Sequence, residues 1–296
     1  MKATEWAFGM SSCSTGKVDI DTFEQYAKHG VEMIETSFGS LDAVPNNWKE
    51  IEKNSRDTGV KLWSVHLPFW PFDVLDFASF DKEARKKALA IQCEITKNAA
   101  DIGIKTAVIH PSGEPYPQNE RDERIKIAAD MLAQLAEAAH SCGVTVAVED
   151  LPRTCLGNCS ADIKRLIADN QKLRVCFDTN HLLSERNVDF VKALGDKIVT
   201  LHVSDYDFRN ERHWLPYEGS VDWAELVTAL EDVGYCGPFM YEISLKTPAS
   251  IKRRDLTFAD FSENYKACVE KCHANVIGTP DMEECLKNSY YKEPII

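Results

Sequence analysis

Six short runs in this chain open on a glycine or polar turn, pass through β-branched and apolar residues, and stop on a side chain able to ligate a metal. They read GVKLWSVH to His66, GIKTAVIH to His110, GVTVAVE to Glu149, KLRVCFD to Asp178, KIVTLH to His202 and GPFMYE to Glu242. Near-continuous apolar runs of this length are the signature of strands buried on both faces of a parallel sheet. One histidine after a strand is unremarkable. Repetition at six strand ends places six ligand-type groups on one rim, which core packing does not explain and metal-dependent catalysis does.

Between the runs lie amphipathic stretches with helical spacing, which makes the repeating unit strand then helix. In 81–102 the residues Ala84, Ala88, Ile91, Ile95, Ala99 and Ile102 form one apolar stripe, with Asp81 as N-cap and Gly103 as the C-terminal stop. Further helices are expected over 19–29, 46–58, 120–141, 160–169, 187–195, 222–233 and 258–274. Residues 6–10 and 31–36 add two strands to the six, giving eight βα units in 296 residues. That count predicts a (β/α)8 TIM barrel, a single α/β domain over 1–275 with its active site at the strand C-termini, followed by a C-terminal extension over 276–296 that laps over the barrel or forms a mobile tail. A doubly wound open sheet is the alternative. No Gly-x-Gly-x-x-Gly loop follows the first strand, and a closed ring better accommodates ligands at so many strand ends.

Acidic residues number 47 against 34 Lys and Arg, a formal charge of −13, which repels a phosphate backbone and argues against nucleic acid as a partner. No run approaches the ~18 apolar residues of a membrane span, and the opening MKATEWAFGMSS lacks an export signal, so no membrane association is expected and a cytoplasmic location is. The ten Cys are scattered through strands and helices and read as reduced thiols. Cys155 with Cys159, and Cys268 with Cys272 and His273, lack the paired knuckles of a structural zinc site. Nothing in the pattern fixes oligomeric state, and a homo-oligomer is compatible with it.

Glu149, Asp178, His202 and Glu242 form one set. Three carboxylates and an imidazole suit a borderline-hard divalent ion such as Mn, Mg, Co or Zn, and burying three carboxylates together without a cation is strongly unfavourable.

These residues, with ED at the fifth strand end, FDTNH at the sixth, LHVSD at the seventh, Pro-x-Glu-Gly-x-x-Asp-Trp over 216–223 and YE at the eighth, resemble the sugar isomerase/epimerase superfamily of xylose-isomerase-like TIM barrels. The resemblance implies that Glu149, Asp178, His202 and Glu242 hold one divalent cation, and that Glu149 and Glu242 also act as the acid/base pair on a small carbohydrate. It further implies substrate contacts from His181 and Arg209, with His66, His110 and His213 as pocket hydrogen-bonding groups. Tyr217 stands where the family pattern has Gly. Trp6, Phe8, Phe38, Phe69, Trp70 and Trp214 fall on or near the rim, where aromatic walls can face a sugar ring. Glu35 reads equally as a salt-bridge partner or a pocket residue.

The same positions, His66, His110, Glu149, Asp178, His181, His202, Glu211, His213 and Glu242, also resemble the trinuclear zinc constellation of endonuclease IV, which would make His66, His110, His181, Glu211 and His213 additional metal ligands. Glu211 stands where that family has Asp, and the −13 charge lacks its basic footprint. A lyase of the inosose dehydratase or 3-keto-glycoside eliminase type, and a sugar sensor without turnover, remain alternatives. The intact Glu149 and Glu242 favour chemistry over sensing.

Overall fold

The computed structural model describes residues 1–168 and 170–296. Eight parallel strands form the barrel: β1 (Phe8–Ser11), β2 (Met33–Ser37), β3 (Lys61–His66), β4 (Thr106–Ile109), β5 (Thr145–Glu149), β6 (Leu173–Asp178), β7 (Ile198–His202) and β8 (Phe239–Tyr241). They hydrogen-bond in sequence order, with β8 returning to β1 through Phe8 opposite Phe239. Closure between β7 and β8 is made just above the strands: Val203 N donates to Met240 O at 2.8 Å and Glu242 N donates to Val203 O at 3.2 Å. The two closing bonds therefore fix the backbone beside His202 and at Glu242.

The helices are α1 (Ile20–Lys28), α2 (Trp48–Thr58), α3 (Phe72–Leu75), α4 (Lys82–Asp101), α5 (Arg121–Ser141), α6 (Ser160–Ile167), α7 (Asn187–Leu194), α8 (Trp223–Asp232), α9 (Phe258–Val269) and α10 (Met282–Lys287). The Asp81 side chain accepts from Glu83 N and Ala84 N and starts α4 as the sequence predicts. The end of the helix expected over 160–169 reaches residue 169, outside the described residues. The helix expected to reach 274 stops at Val269, because Lys271 adopts φ +56° and Cys272 N turns back onto Ala267 O at 2.8 Å. None of the described helices is long and apolar enough to cross a membrane.

Beyond α9 the chain docks on the barrel. A two-residue strand, β10 (Thr279–Pro280), pairs antiparallel with β9 (Ile251–Lys252), and buried Cys285 packs with Trp214 and Ile251. Arg212 donates to Cys285 O at 2.9 Å, and the Tyr290 and Tyr291 amides both donate to Arg209 O at 3.0 Å. The extension thus braces the loop after β7.

That loop is organised by Asp205. Its buried carboxylate accepts from Tyr206 N (2.8 Å), Tyr217 N (2.9 Å), Val221 N (3.1 Å) and Trp223 Nε1 (2.8 Å). The Gly and Trp of the 216–223 motif serve this wrap: a Cβ on Gly219 would collide with the Asp205 carboxylate and the Tyr206 backbone. Tyr217 has φ +74°, a left-handed conformation a Gly adopts at lower cost, and its side chain is not among the groups lining the central cavity. All ten cysteines are free thiols.

Candidate active site

Because side chains alternate along a strand, the residue ending each of β3, β5, β6 and β7 points along the barrel axis and those ends meet in a cup. Glu149 is its hub. Oε1 lies 2.9 Å from His202 Nδ1, while Oε2 lies 3.1 Å from His66 Nε2 and 3.2 Å from His110 Nε2. His202 Nδ1 is also 3.3 Å from Glu242 Oε2. Asp178 Oδ1 accepts from Asn180 N at 2.7 Å, but its Oδ2 is buried with no hydrogen-bond partner.

One atom from each of Glu149, Asp178, His202 and Glu242 lies within 4.8 Å of the others. The orphaned Asp178 Oδ2, aimed into a cup with two further carboxylates and an imidazole, fits a divalent cation. On the far side of His202, Nε2 lies 3.0 Å from Glu35 Oε1, and Glu35 Oε2 accepts from Ser64 Oγ at 2.8 Å. Glu35 is therefore an orienting partner, holding the ring so that Nδ1 faces the cup.

Electrostatics inside the cup are uneven. Burial opposes ionisation of Glu149, yet the neighbouring His202 and His110 rings outweigh it and hold this carboxyl well below the usual range. Glu242 goes the other way: burial, reinforced by Glu149 and Asp178, outweighs His202 and pushes it up to about 7. Burial also raises Asp178. His66 is pushed up to about 9 because the Glu149 carboxylate overrides the burial penalty on its charge. The raised His66, His181 and His202 and the raised Glu242 carboxyl offset the negative charge gathered in the cup, while burial lowers His110.

A cavity of about 240 Å³ opens above the cup. His66, His110, His181, Glu211 and His213 all line it, as the sequence suggests, together with Glu149 and Glu242. His181 Nδ1 donates to Asp150 O at 2.8 Å, leaving Nε2 between Asp178 Oδ2 (3.5 Å) and Glu211 Oε2 (3.4 Å). The face of His110 stacks on Phe69, with ring centroids 4.3 Å apart.

Two expectations are corrected. Arg209 does not reach the cavity; its guanidinium donates to Lys292 O at 3.1 Å and lies 3.3 Å from Glu293, tying the loop to the C-terminal extension. Of the six aromatics proposed as walls only Phe69 lines the cavity, joined by Phe72, while Trp6, Phe8, Phe38 and Trp214 are buried core. The arginine at the cavity is Arg153, which the sequence reading missed. It bonds Glu114 (3.1 Å from Nε), Glu211 (2.8 Å) and Asn210 (3.0 Å). Its position in LPRT, just after the fifth strand end, was the available signal.

The barrel is closed and parallel, with a carboxylate-rich, histidine-lined cup at the strand C-termini, the face where TIM-barrel active sites lie, and its residues could hold a metal ion. Residues 23–260 match the model of the xylose isomerase-like TIM barrel family, and the chain belongs to that family. An uncharacterised protein of Methanocaldococcus jannaschii is 26% identical over 258 residues, 81% of this chain and 86% of its own. A D-psicose 3-epimerase of Enterocloster bolteae is 28% identical over 227 residues, covering 72% of each chain. Among solved structures, a D-tagatose 3-epimerase-like protein superposes with a TM-score of 0.74 at 23% identity, covering 90% of this chain and 98% of that one.

Proposed function

We propose that the protein is a divalent-metal-dependent isomerase or epimerase of a small sugar or sugar derivative, working by proton transfer through an enediolate. The observation that carries this reading is geometric: Glu149 and Glu242 both face one cavity, and each offers a ligand atom to the same four-residue cluster that fits a divalent ion. The kinship with a D-psicose 3-epimerase points to the same chemistry.

Glu149, Asp178, His202 and Glu242 would hold the ion, which would supply polarisation of a carbonyl and neighbouring hydroxyl and so acidify the C–H between them. One carboxylate removes that proton, and the other delivers one to the opposite face, giving an epimer, or to the adjacent carbon, giving the aldose–ketose isomer. Glu242, the more open of the two with its side chain 15% exposed, is placed to meet substrate directly. His181 and His213 offer hydrogen bonds to substrate oxygens. Phe69 and Phe72 exclude water from one side of the cavity.

The nuclease-like alternative needs further ions at His181, Glu211 and His213, whose ligand atoms do cluster. Against it, one oxygen of Glu211 is taken by the Arg153 guanidinium at 2.8 Å, and a fixed cation there opposes a second divalent ion. The Arg153 cation favours one ion at the Glu149 cup over a second at Glu211.

The test is hydrogen exchange. Metal-loaded protein is incubated with D-psicose, D-tagatose and 3-keto-glucosides in D2O, and the sugars are followed by NMR. Deuterium is expected at a single carbon with inversion, and loss of its entry by at least ~10²-fold in Glu149→Gln and Glu242→Gln, the range typical of a lost acid or base. Full turnover in both variants refutes the pair. A dehydrated product replaces epimerisation with the lyase reading.

A further inference from the structure

The opposite end of the barrel holds a second cavity, about 460 Å³, whose lining includes Lys61, Trp63, Lys105, Thr106, Thr145 and Arg174. Strand order puts them together. Lys61 opens β3, Lys105 immediately precedes β4, Thr106 opens β4 and Thr145 opens β5. Thr106 and Thr145 are direct partners across the two strands. Alternation along β5 places Thr145 on the same side as Glu149, and along β6 places Arg174 on the same side as Asp178, so both point inward. Buried Val108, Ala147 and Cys176 pack together one layer above. This apolar layer separates the lower mouth from the Glu149 cup.

Many basic side chains in this acidic chain are met by carboxylates, as in Lys53 with Asp57, Lys97 with Asp101, Arg121 with Asp162 and Lys271 with Glu231, while others among the described residues, such as Lys28, Lys87 and Lys126, stand alone in solvent. Those at the lower mouth also lack a carboxylate, but they border one cavity together. Among the described residues Lys61 and Lys105 have no ion pair, and the Arg174 guanidinium donates only to the carbonyls of Gln171 (2.7 Å) and Leu173 (2.8 Å). The Thr106 and Thr145 hydroxyls have no hydrogen-bond partner among those residues, although Thr106 is buried. Lysines that open strands are ordinarily solvated charges. Here they border a cavity containing an inward guanidinium and two uncommitted hydroxyls, with no carboxylate in its lining. Several cations gathered without a counter-charge repel one another, and an oxyanion relieves that repulsion while accepting from every free donor. Half-buried Trp63, its Nε1 anchored on Thr200 Oγ1 at 3.1 Å, supplies an apolar wall beside them.

We propose that the N-terminal mouth of the barrel binds a phosphomonoester, with its phosphate on Arg174, Thr106 and Thr145, Lys61 and Lys105 at the rim, and its organic part against Trp63. The ligand occupies a site separate from the catalytic cup.

The test is calorimetric titration of metal-loaded, full-length protein with glycerol 3-phosphate and with inorganic phosphate at fixed ionic strength, in wild type, Lys61→Gln/Lys105→Gln and Arg174→Gln. Saturable one-to-one binding of the ester is expected, weakened about tenfold or more in each variant, the size of a lost charge-assisted contact. Lys61 and Lys105 are exposed, so the double variant keeps the test decisive if Arg174→Gln does not fold. Inorganic phosphate binding as tightly as the ester supports the oxyanion site and makes free phosphate its ligand. Absence of saturable binding in wild type overturns the proposal. So does affinity unchanged in the folded double variant, which would place the anion at the catalytic metal.

Discussion

Replacing Asp178 by Asn should stabilise the metal-free protein while weakening its response to metal, two effects of opposite sign from one atom. The Asp178 carboxylate stands within 4.8 Å of Glu149 and Glu242 ligand atoms, a repulsion of roughly 3.5 kcal/mol or more per fully ionised pair at an effective dielectric constant of about 20. Attraction to His181 Nε2 at 3.5 Å offsets a comparable amount. Burial remains uncompensated, and the net effect raises the carboxyl's pKa. A group whose folded pKa lies above its unfolded value binds more protons in the folded state, so its ionisation costs stability as pH rises through that interval. At pH 8 the amide of Asp178→Asn escapes that cost and keeps the bond from Asn180 N through its oxygen. A gain of about 1–2 kcal/mol is expected, or roughly 2–4 °C in Tm for a chain of this size. With metal at a hundred times its Kd, wild type gains about 2.7 kcal/mol, near 5 °C. Loss of one of four ligands lowers affinity by at least ~10–100-fold, so the same metal concentration moves the variant by about 3 °C or less. Thermal unfolding with chelator and with Mn²⁺, paired with an elemental count, reads both effects. A variant less stable than wild type in chelator that retains the full metal-induced shift would remove Asp178 from the ligand set.

Metal affinity should fall as pH drops below 7, because Glu242, pushed up to about 7, and His202, raised well above its ordinary value, must give up protons to bind. The slope should approach tenfold per pH unit per proton displaced, and titration between pH 6 and 8 that shows no change contradicts the assignment. Arg153→Ala should raise KM by about tenfold or more, the scale of a lost charged hydrogen bond, while Arg209→Ala leaves KM unchanged and lowers Tm slightly. Equal effects of the two variants on KM would mean that the extension-anchored loop, rather than the Arg153 side chain, sets substrate affinity.

Strand ends and the cup were legible because each rests on a local rule. A buried parallel strand is an apolar run, and its last inward residue needs only alternation to be placed, which fixed His66, Glu149, Asp178 and His202. Arg209 was misplaced and Arg153 missed because both lie in irregular loops. There direction depends on which distant carboxylate or carbonyl each guanidinium meets: Glu114 across 39 positions for one and the extension across 83 for the other. Glu35 carried no local signal separating a pocket role from a salt bridge. Its role appears only when His202, from the seventh strand, arrives 3.0 Å away. The end of α9 was misplaced because Lys271 adopts a left-handed backbone that a Lys does not advertise.

The cup also explains why the surrounding shell is so heavily hydrogen-bonded. Three carboxylates and their histidines are costly to bury without a cation, and in the metal-free state they persist only as a proton-shared network centred on Glu149. Such a network collapses or rotates unless outer groups hold each ring and carboxylate in place. Leu67 O meets His66 Nδ1 at 2.9 Å, Asp150 O meets His181 Nδ1 at 2.8 Å, and Glu35 faces His202 Nε2, leaving one nitrogen of each ring facing the cup or cavity. Two of the three fixing groups are backbone carbonyls, which cannot ionise and hold their ring nitrogens as donors whether or not metal is bound. Only Glu35 can lose or gain charge. Its carboxyl is held low because His202, with Ser64, outweighs the penalty of complete burial. With a divalent ion in place of the Nδ1 proton, Glu35 Oε1 would still face Nε2 at 3.0 Å, and its charge would keep the ring oriented toward the cup.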